Sequence, residues 1–396
     1  MVLFIKHPTL SQTGSKRFLV RKMDMLACIF ALSLAFQVES GAQIMSPLIS
    51  LPASAITSQQ DQSDLSHAMN ANEAGIIANS DEDQGEQLAA LMATVAADPD
   101  LDTLYIPEGR YYITQAIALL PGVNLIGDGM GRTVFYRNNS EDYLIKPGAH
   151  GDFDQALISN LSFHNSYRTL LMRDVHHLRF HQVEFEGGIV RFEESSNVTI
   201  EDCYFNRNLG KGGYASSNCS HMRILHNRFL SVENGSINLS GHKDSYVAYN
   251  HITADKLIDS GYAGIRLPNT ATKNLIEYNY IENHGRGLFV LTYSSHNTLR
   301  HNTVNSTKQQ GVLVQSPHNR IEHNLIIDAG LAAIRVSDAH YEGYPSSIAN
   351  GNQILYNLIT DTKPGNNDSP VGLFIRSSDT TLTGNVVDSQ FRRASN

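Results

Sequence analysis

The sequence is poor in several residue types that mark particular classes of protein. It has no tryptophan, only 3 cysteines and 17% charged residues among 396. So few cysteines do not make a disulfide-stapled miniprotein, and a hydrophobic fraction of 41% is too high for a disordered chain. The formal net charge of −9 leaves the chain without an overall positive field. We therefore expect no general binding to nucleic acid or to anionic membranes.

Long apolar runs are also absent, apart from one near the N-terminus. Residues 25–36 read MLACIFALSLAF after a basic stretch, and Ser-Gly-Ala follows at 40–42. This run is too short to span a bilayer but suits the core of a signal peptide. We therefore predict a signal peptide over 1–42, a flexible segment over 43–80 and an exported protein, either secreted or periplasmic.

Two cysteines remain after the predicted cleavage, Cys203 and Cys219. An oxidising compartment would allow them to form a disulfide across a short loop. Cys203, however, occupies an apolar position of the repeat described next, which favours a buried free thiol. The spacing alone does not fix the Cα separation that a disulfide needs, so both alternatives stay open.

From about residue 156 the chain repeats a six-residue pattern. Its first residue is aliphatic, its fourth is Asn or apolar, and its last is apolar. The copies are ISNLSF, FHQVEF, IEDCYF, ILHNRF, VAYNHI, IEYNYI, LRHNTV, IEHNLI, ILYNLI and LTGNVV. Most copies follow one another at about 22 residues, with occasional insertions, which is the period of a solenoid. The units contain short β-branched and aromatic strands and no helical segment, so they predict parallel β-coils rather than leucine-rich repeats.

The fourth position of the pattern is asparagine in seven copies. Stacked parallel coils place equivalent residues one above another at about 4.8 Å. We therefore predict a ladder of buried side-chain amides at one turn, with a structural role and no chemistry. Its members are Asn227, Asn250, Asn279, Asn302, Asn324, Asn357 and Asn385.

A different pattern precedes the repeat. An acidic turn at 81–83 is followed by apolar residues at helical spacing over 84–97, and Pro99 ends that run. Short strands then follow in LYIPEGRYYIT and LPGVNLIGDGMGRT. The predicted fold is an all-β, single-stranded right-handed parallel β-helix of about ten coils over 81–396, with an N-terminal capping helix.

In these segments and in the repeat, the sequence resembles the right-handed parallel β-helix proteins of the pectate-lyase superfamily. The opening helix and first strands are similar to the N-terminal cap of polysaccharide-acting members, and the stretch HGRGLFVLTYSSHNTLRHNTV resembles mannuronan C5-epimerases. The Asp-Pro-His-(Asp/Glu) motif of those epimerases is missing, because the nearest match is Ser-Gly-His-Lys-Asp at 240–244. The resemblance therefore implies a polysaccharide-acting enzyme and favours a lyase over an epimerase.

Function on such a fold must come from outward side chains, because the interior is structural. In most coils, one strand before the ladder asparagine begins at or near a glycine. When the coils are aligned on their ladder asparagines, the outward positions of these strands form one column. The column reads Ile237, Arg266, Phe289, Leu313, Arg335 and Phe374. Two arginines three coils apart among apolar residues lie about 14 Å from each other, near the span of a few sugar units. We therefore expect an anionic polysaccharide to lie over the face between Arg266 and Arg335.

Further polar residues cluster beside this column. The turn after the strand carries His242, Lys243 and Asp244, with Lys273 and His296 in register above Asp244. Tyr293 lies above Gly241, and His284 and Arg286 precede the strand.

Uronic-acid β-elimination needs this combination. A cation must neutralise the carboxylate, a base must remove the C5 proton, and an acid must protonate the leaving oxygen. We assign catalysis to Arg266, to Lys243 or His242 as base, and to Tyr293 at the leaving oxygen or the sugar face. Substrate binding is assigned to Arg286, Phe289, His296 and Arg335.

Three other functions remain as alternatives. An epimerase would share the first proton transfer, a β-helix glycoside hydrolase would need facing carboxylates that the column lacks, and a surface protein could bind glycan without turnover. No cofactor is predicted. Calcium would be compatible with the chemistry, but no acidic cluster has calcium-loop spacing, and no metal site is assigned. The expected partner is an anionic polysaccharide, bound by a monomer that contacts no nucleic acid and, once the signal is removed, no membrane.

Overall fold

The structure is a computed structural model that describes residues 65–137, 142–165, 167–207, 212–232, 235–340, 346–361 and 371–387. The described residues all belong to one compact unit. The predicted signal peptide and residues 43–64 of the predicted flexible segment lie outside the described residues. No helix of the described part is long and apolar enough to cross a membrane.

The described residues form one helix, α1 (Gly85–Ala97), and short strands in every coil. The strands in chain order are β1 (Ala68–Asn70), β2 (Thr103–Ile106), β3 (Gly109–Tyr112), β4 (Ile117–Leu119), β5 (Asn124–Gly127), β6 (Thr133–Arg137), β7 (Ile145–Pro147), β8 (Gly151–Asp152), β9 (Leu157–Asn165), β10 (Arg168–Arg173), β11 (Val175–His176), β12 (Arg179–Glu186), β13 (Ile189–Glu193), β14 (Thr199–Glu201), β15 (Tyr204–Asn206), β16 (Tyr214–Ser217), β17 (Arg223–Leu225), β18 (Arg228–Leu230), β19 (Ile237–Ser240), β20 (Tyr246–Ala248), β21 (His251–Thr253), β22 (Ala263–Leu267), β23 (Leu275–Glu277), β24 (Tyr280–Glu282), β25 (Arg286–Val290), β26 (Thr298–Arg300), β27 (Thr303–Thr307), β28 (Gln310–Val314), β29 (Arg320–Glu322), β30 (Leu325–Ala329), β31 (Ala332–Ser337), β32 (Gln353–Leu355), β33 (Leu358–Thr360), β34 (Val371–Arg376), β35 (Thr381–Thr383) and β36 (Val386–Val387).

These strands wind into a right-handed parallel β-solenoid of about 11 turns, which confirms the predicted fold class. One face is an 11-stranded parallel sheet in the order β34-β31-β28-β25-β22-β19-β16-β13-β10-β7-β4. Every neighbour in this sheet comes from the next coil, so the sheet runs along the solenoid axis. The strands on either side of the asparagine turn belong to a second, 23-stranded sheet. We call the outer surface of the first sheet the 11-strand face.

The predicted asparagine ladder is present at every predicted position. Asn279, for example, donates from Nδ2 to Asn302 Oδ1 at 2.9 Å and to the carbonyl of Val247 at 3.0 Å. Its own Oδ1 accepts from the backbone and side-chain nitrogens of Asn250 at 3.1 and 2.9 Å. Each amide therefore satisfies backbone groups at a bend that would otherwise be buried without partners.

The residue before each ladder asparagine has a left-handed backbone. The φ values are 55° at His226, 59° at Tyr249, 55° at Tyr278, 53° at His301 and 53° at His323. Their rings point outward and stack along the axis, with centroid separations of 4.9 to 5.2 Å. The rings of His301 and His323 stack on each other, and the rings of Tyr249 and Tyr278 continue the same column.

A second buried amide ladder was not predicted. Asn274 donates to Asn297 Oδ1 at 2.9 Å, and Asn297 donates to Asn319 Oδ1 at 3.0 Å. These residues follow the turn beyond the 11-stranded sheet, where the sequence has no six-residue pattern to reveal them. The solenoid is therefore fixed by amide ladders at two of its bends.

The N-terminal cap follows the prediction, but the solenoid begins earlier than Asp81. Helix α1 buries Leu88, Met92 and Val95 against the first coil. Strand β1 already pairs in parallel with β2, although the sequence placed residues 68–70 in a flexible segment. Burial of Ala71 and Ile76 explains the difference, since two isolated apolar residues give no periodic signal but still pack on the coil.

Both cysteines are buried free thiols. Burial raises the pKa of Cys203 to about 12 and that of Cys219 to about 11. The structure therefore supports the core position inferred for Cys203 and places no disulfide between the two residues.

Candidate functional site

The 11-strand face carries an open groove of about 350 Å³. Four neighbouring strands, β13, β16, β19 and β22, supply its floor, so the groove runs along the solenoid axis. The residues lining it are Ile189, Arg191, Gly212, Tyr214, Ala215, Ser216, Ser217, Gly235, Asn238, Ser240, Tyr262 and Arg266.

Two arginines mark the ends of the groove. Strand pairing places Arg191, Ala215, Asn238 and Arg266 on consecutive rungs, so the two arginines lie about 14 Å apart along the axis. Glu193 lies beside Arg191, and its Oε1 accepts from Arg191 Nε at 2.6 Å. Among the described residues the lining contains no acidic side chain, and it includes two arginines, so these residues give the groove a local positive charge.

Glu193 is held by a second arginine as well. Its Oε2 accepts from Arg173 Nε at 2.7 Å, so one carboxylate lies between two guanidiniums. The ion pair with Glu193 holds Arg191 at the rim of the groove. Arg173, Arg191 and Glu193 together carry one net positive charge. The carboxylate of Glu193 is therefore engaged and does not resemble a free catalytic acid.

Arg266 is packed between two aromatic rings. Its Cζ lies 5.4 Å from the ring centre of Tyr262 and 5.8 Å from that of Phe289. Such cation–π contacts fix the plane of a guanidinium. Tyr262 is 41% exposed, so a phenol and a guanidinium lie side by side at one end of the groove.

Arg286 supports this end from behind. Its Nε donates to Gln310 Oε1 at 2.7 Å, its Cζ lies 4.9 Å from the ring centre of Phe289, and it donates to the carbonyl of Gly261. Because Gly261 precedes Tyr262, Arg286 holds the segment that carries the phenol. The structure thus gives Arg286 a supporting position and not a place in the groove lining.

Asn238 occupies the centre of the groove floor. Its Oδ1 is buried and has no hydrogen-bond partner among the described residues. The side chains of Ser217 and Ser240 project from neighbouring strands on the same face. These groups could bind sugar hydroxyls, which donate and accept hydrogen bonds.

The outward column differs from the predicted one at its first position. Ile237 is fully buried and pairs with Ile265, while Asn238 pairs with Arg266. The pairing offset is 28 residues in this strand but 29 residues in the turn, where Lys243 pairs with Thr272. The later coil therefore has one extra residue in its turn. Aligning the coils on their ladder asparagines did not account for this residue, so the predicted column was wrong by one position at Ile237.

The predicted path toward Arg335 is closed. Phe289 and Leu313 occupy the expected outward column, but they are only 4% and 3% exposed. Arg335 lies on the next rung, where its Nε donates to Ser337 Oγ at 3.2 Å. The groove instead extends from Arg266 toward Arg191, in the opposite direction along the axis.

Lys243 and His296 lie beyond the turn that ends the strand. Asp244, Lys273 and His296 are in register, as predicted, and their φ values of 50°, 57° and 59° mark equivalent left-handed turn positions. His296 stacks with His318 at 5.6 Å. Neither Lys243 nor His296 lines the groove.

His242 is inside the solenoid with an exposed fraction of 0%. Its Nδ1 is hydrogen-bonded to Ser245 Oγ at 3.2 Å, and burial lowers the pKa of the imidazole to about 3. A side chain in this position cannot reach a polysaccharide on the outer surface. The sequence suggested an outward turn residue because it gave no sign that this histidine faces inward.

Tyr293 is also away from the groove. Its hydroxyl donates to the carbonyl of Ser346 at 2.6 Å, and its backbone N–H donates to Ser347 Oγ at 3.3 Å. It therefore fastens the insertion of a later coil onto the turn. His284, which was expected before the strand, is buried as well.

The structure thus brings only Arg266 of the predicted catalytic and binding residues into the groove lining, with Arg286 and Phe289 stacked behind it. Arg191 and Tyr262 line the groove but were not among the predicted site residues. Arg191 belongs to the same outward column and would have been found by extending that column with the correct register. Tyr262 lies in an insertion without periodicity, so no sequence signal indicated its position.

The groove lining contains no group of three metal-ligating side chains among the described residues. One such group, His164, Glu184 and Glu186, lies on strands β9 and β12 of the other sheet. Sequence spacing did not reveal it, because its members come from different coils.

Comparison with known protein families agrees with this architecture. A family model described as rhamnogalacturonase A/epimerase, pectate lyase-like, matches residues 68–313, more than half of the chain and the whole groove. The chain belongs to this pectate lyase-like family. A model of the right-handed β-helix region also matches residues 244–387. A search of curated protein sequences gave no match.

Solved structures show the same fold in proteins of different function. The A-module of the Azotobacter vinelandii mannuronan C-5 epimerase AlgE4 is 16% identical, with a TM-score of 0.59 over 82% of this chain and 99% of that one. A tailspike of E. coli bacteriophage HK620, in complex with a pentasaccharide, is 13% identical, with a TM-score of 0.58 over 82% and 66%. PfbA, a surface adhesin of Streptococcus pneumoniae, is 12% identical, with a TM-score of 0.53 over 81% and 91%. At these identities the likeness concerns the fold alone.

Proposed function

We propose that this pectate lyase-like protein cleaves a uronic-acid-containing polysaccharide by β-elimination, with the chain bound in the groove between Arg191 and Arg266. The observation that carries the proposal is the pairing of the Arg266 guanidinium with the Tyr262 phenol at one end of a positive groove. We thus propose the same reaction that the sequence predicts, but we assign it to the groove between Arg191 and Arg266 instead of the face between Arg266 and Arg335.

The charge of the groove supports an anionic ligand. Guanidiniums bind carboxylates through two parallel hydrogen bonds, which a neutral sugar cannot exploit. Arg191 and Arg266 lie about 14 Å apart along the axis, so a linear uronate chain could place one carboxylate at each end. Ser217, Asn238 and Ser240 would then contact hydroxyl groups of the intervening sugars.

The end of the groove at Arg266 supports the chemistry. Removal of the C5 proton builds negative charge on the adjacent carboxylate, and a guanidinium bound there stabilises that charge. Tyr262 is the exposed acid–base side chain next to Arg266, and it takes the place that the sequence analysis gave to Lys243 or His242. As a phenolate, Tyr262 can accept the C5 proton; the C4=C5 double bond then forms as the C4–O bond breaks, and the phenol donates its proton to the leaving oxygen.

The same first step would also serve a C5-epimerase, which returns the proton to the opposite face of the ring. A hydrolase is disfavoured, because the described lining of the groove has no pair of carboxylates facing each other. Elimination and epimerisation therefore remain to be separated by their products.

The decisive experiment measures product chemistry on polyuronates such as alginate and polygalacturonate. Elimination creates a conjugated unsaturated uronate that absorbs in the ultraviolet, whereas epimerisation in D2O introduces deuterium at C5 without chain cleavage. We expect ultraviolet absorbance to rise with at least one polymer. Deuterium incorporation without absorbance would replace the lyase by an epimerase, and binding without either would leave a glycan-binding protein.

Two matched arginine variants test the location of the site. Arg266→Lys should lower turnover by about 10²–10³-fold, because it removes a two-bond carboxylate clamp from the transition state. Arg335→Lys changes the same residue type in the same outward column, outside the groove, and should leave turnover unchanged. Equal losses in both variants would contradict the proposed groove.

We also propose that the protein is exported, as the signal-peptide pattern over residues 1–42 predicts. N-terminal sequencing of protein recovered from outside the cytoplasm should begin close to residue 43. A mature protein that still begins at Met1 would contradict export by this signal.

A further inference from the structure

A second cluster of polar side chains lies on the 23-stranded sheet, on strands β9, β12 and β15. Successive coils carry the triplets Ser-Phe-His at 162–164, Glu-Phe-Glu at 184–186 and Tyr-Phe-Asn at 204–206. The middle phenylalanines point inward and stack, with centroids 6.0 and 5.1 Å apart. By strand alternation, the flanking residues of all three triplets face outward on adjacent rungs.

Three of these outward residues lie close together, with a different ring nitrogen of His164 facing each of the two glutamates. His164 Nε2 lies 3.4 Å from Glu184 Oε2, and His164 Nδ1 lies 3.3 Å from Glu186 Oε2. One ligand atom from each residue lies within 4.8 Å of the other two. The two carboxylates lie on one strand, on either side of His164, and repel each other unless a positive charge lies between them.

Neighbouring groups hold the cluster in place and extend it. The hydroxyl of Ser162 accepts from the backbone N–H of Gly131 at 2.8 Å and therefore donates its own proton to Glu184 Oε2 at 2.7 Å. This is how an outer hydrogen bond orients a metal-ligating carboxylate. On the next rung, beside Glu186, Asn206 Oδ1 is buried and has no donor among the described residues.

We propose that His164, Glu184 and Glu186 bind a divalent transition-metal ion such as Zn²⁺ or Mn²⁺. One imidazole nitrogen and two carboxylates form the mixed nitrogen and oxygen donor set that these ions accept, whereas Ca²⁺ takes oxygen ligands. Donors bound at about 2.1 Å to a tetrahedral ion lie about 3.4 Å apart, which is the separation of His164 and Glu184. Glu186 is the more exposed carboxylate and can turn toward the same ion.

The site would join two consecutive coils near the capped end of the solenoid, and none of its three ligands lines the groove. Its ligands come from β9 and β12, so the ion would link neighbouring rungs as the asparagine ladders do elsewhere. We therefore expect binding to raise the thermal unfolding temperature of the whole chain.

Metal binding can be measured on the full chain after treatment with a chelator. The protein is dialysed against Zn²⁺, Mn²⁺ or Ca²⁺, bound metal is quantified by mass spectrometry, and thermal unfolding is followed by circular dichroism. We expect one specific equivalent of Zn²⁺ or Mn²⁺ with a raised unfolding temperature, and a weaker effect of Ca²⁺.

Matched variants separate this site from the many other histidines. His164→Gln should abolish the specific equivalent and the thermal shift. His181→Gln should preserve both, although His181 also lies within 3.7 Å of two carboxylates, Glu201 and Asp202. Ser162→Ala keeps all ligands and should raise the dissociation constant by about 10-fold.

Two results would overturn the proposal. If His164→Gln and His181→Gln bind metal equally, the measured binding is adventitious. If neither Zn²⁺ nor Mn²⁺ changes the unfolding temperature of the wild-type protein, His164 serves only as an ion-pair partner of the two glutamates. Circular dichroism of each metal-free variant shows that it has folded before these comparisons are made.

Discussion

The guanidinium carbon of Arg266 lies 5.4 Å from the ring centre of Tyr262, so a fixed positive charge and an exposed phenol share one end of the groove. The ring of Tyr262 supports Arg266 by stacking, whereas its hydroxyl is the group that could transfer a proton. The two contributions can be separated by substitution.

Tyr262→Phe keeps the ring and removes the hydroxyl. We expect kcat on a polyuronate to fall by about 10²–10⁴-fold, the usual contribution of an acid–base group, with little change in KM. Tyr262→Leu should raise KM as well, because Arg266 loses one of its stacking partners. If Tyr262→Phe keeps the full rate, the phenol is only a platform and the base lies elsewhere.

The buried amide of Asn279 is expected to be a major contributor to stability. Asn279→Leu leaves several partners unsatisfied on both neighbouring coils, including the carbonyl of Val247 and the backbone N–H of Asn250. At about 1–3 kcal/mol for each buried unpaired group, the free energy of unfolding should fall by about 3 kcal/mol or more. Denaturant unfolding of this variant measures the loss.

Asn305→Leu is the matched control for this substitution. Asn305 lies on the outer surface of β27, where it donates to Glu282 Oε1 at 2.8 Å and accepts from Ser306 Oγ at 3.2 Å. We expect the free energy of unfolding of Asn305→Leu to change by less than about 1 kcal/mol, because water can replace these partners at the surface. Equal losses at the two positions would contradict a special role for the ladder.

His242 makes stability depend on pH. Burial lowers its pKa to about 3 in the folded state, against 6.5 for the ordinary imidazole. Above pH 6.5 both states are neutral at this residue, so the full stability is present. As the pH falls from 6.5 toward 3, only the unfolded state binds the proton, and stability is lost at up to about 1.4 kcal/mol per pH unit.

Urea unfolding of wild-type protein and of His242→Phe at about pH 7, 6 and 5 tests this effect, because a histidine in the unfolded chain gains its proton in this range. The variant should lose less stability between pH 6.5 and 5 than the wild type. His296→Asn serves as control, because His296 is exposed, and it should retain the wild-type pH dependence. Identical slopes in wild type and His242→Phe would show that His242 is protonated in the folded state.

Cys203 and Cys219 should resist thiol reagents until the chain unfolds. Both are buried, and their raised pKa values keep them protonated at neutral pH. In a Cys28→Ser background, we expect no labelling of the native protein and two labels after denaturation without reductant. Labelling that needs reductant as well as denaturant would instead indicate a disulfide between the two residues.

The solenoid could be predicted because its signals repeat in every coil. Asn227, Asn250 and Asn279 recur at one bend, and each copy reinforces the same periodic pattern. The capping helix was also predictable, since Leu88, Met92 and Val95 share one face at helical spacing. Such patterns depend on local spacing along the chain and on the uniform rise between parallel strands.

The site required the tertiary structure because it depends on differences between coils. One extra residue in a turn moved Asn238, and not Ile237, onto the rung of Arg266. His242 was expected outside and lies inside, and Phe289 was expected in an open path and is covered. A shift of one position exchanges the inner and outer faces of a strand, which accounts for Ile237 and Asn238. Phe289 keeps its expected position and is covered by the side chains of Arg266 and Arg286.

The sequence by itself therefore determined the coil, its direction of growth and its family resemblance, because the same residues return at the same bend many times. Only the tertiary structure decided where the solenoid is open. Insertions without periodicity place Tyr262 beside Arg266 and fasten Tyr293 to Ser346, and packing between coils rather than local spacing sets those contacts.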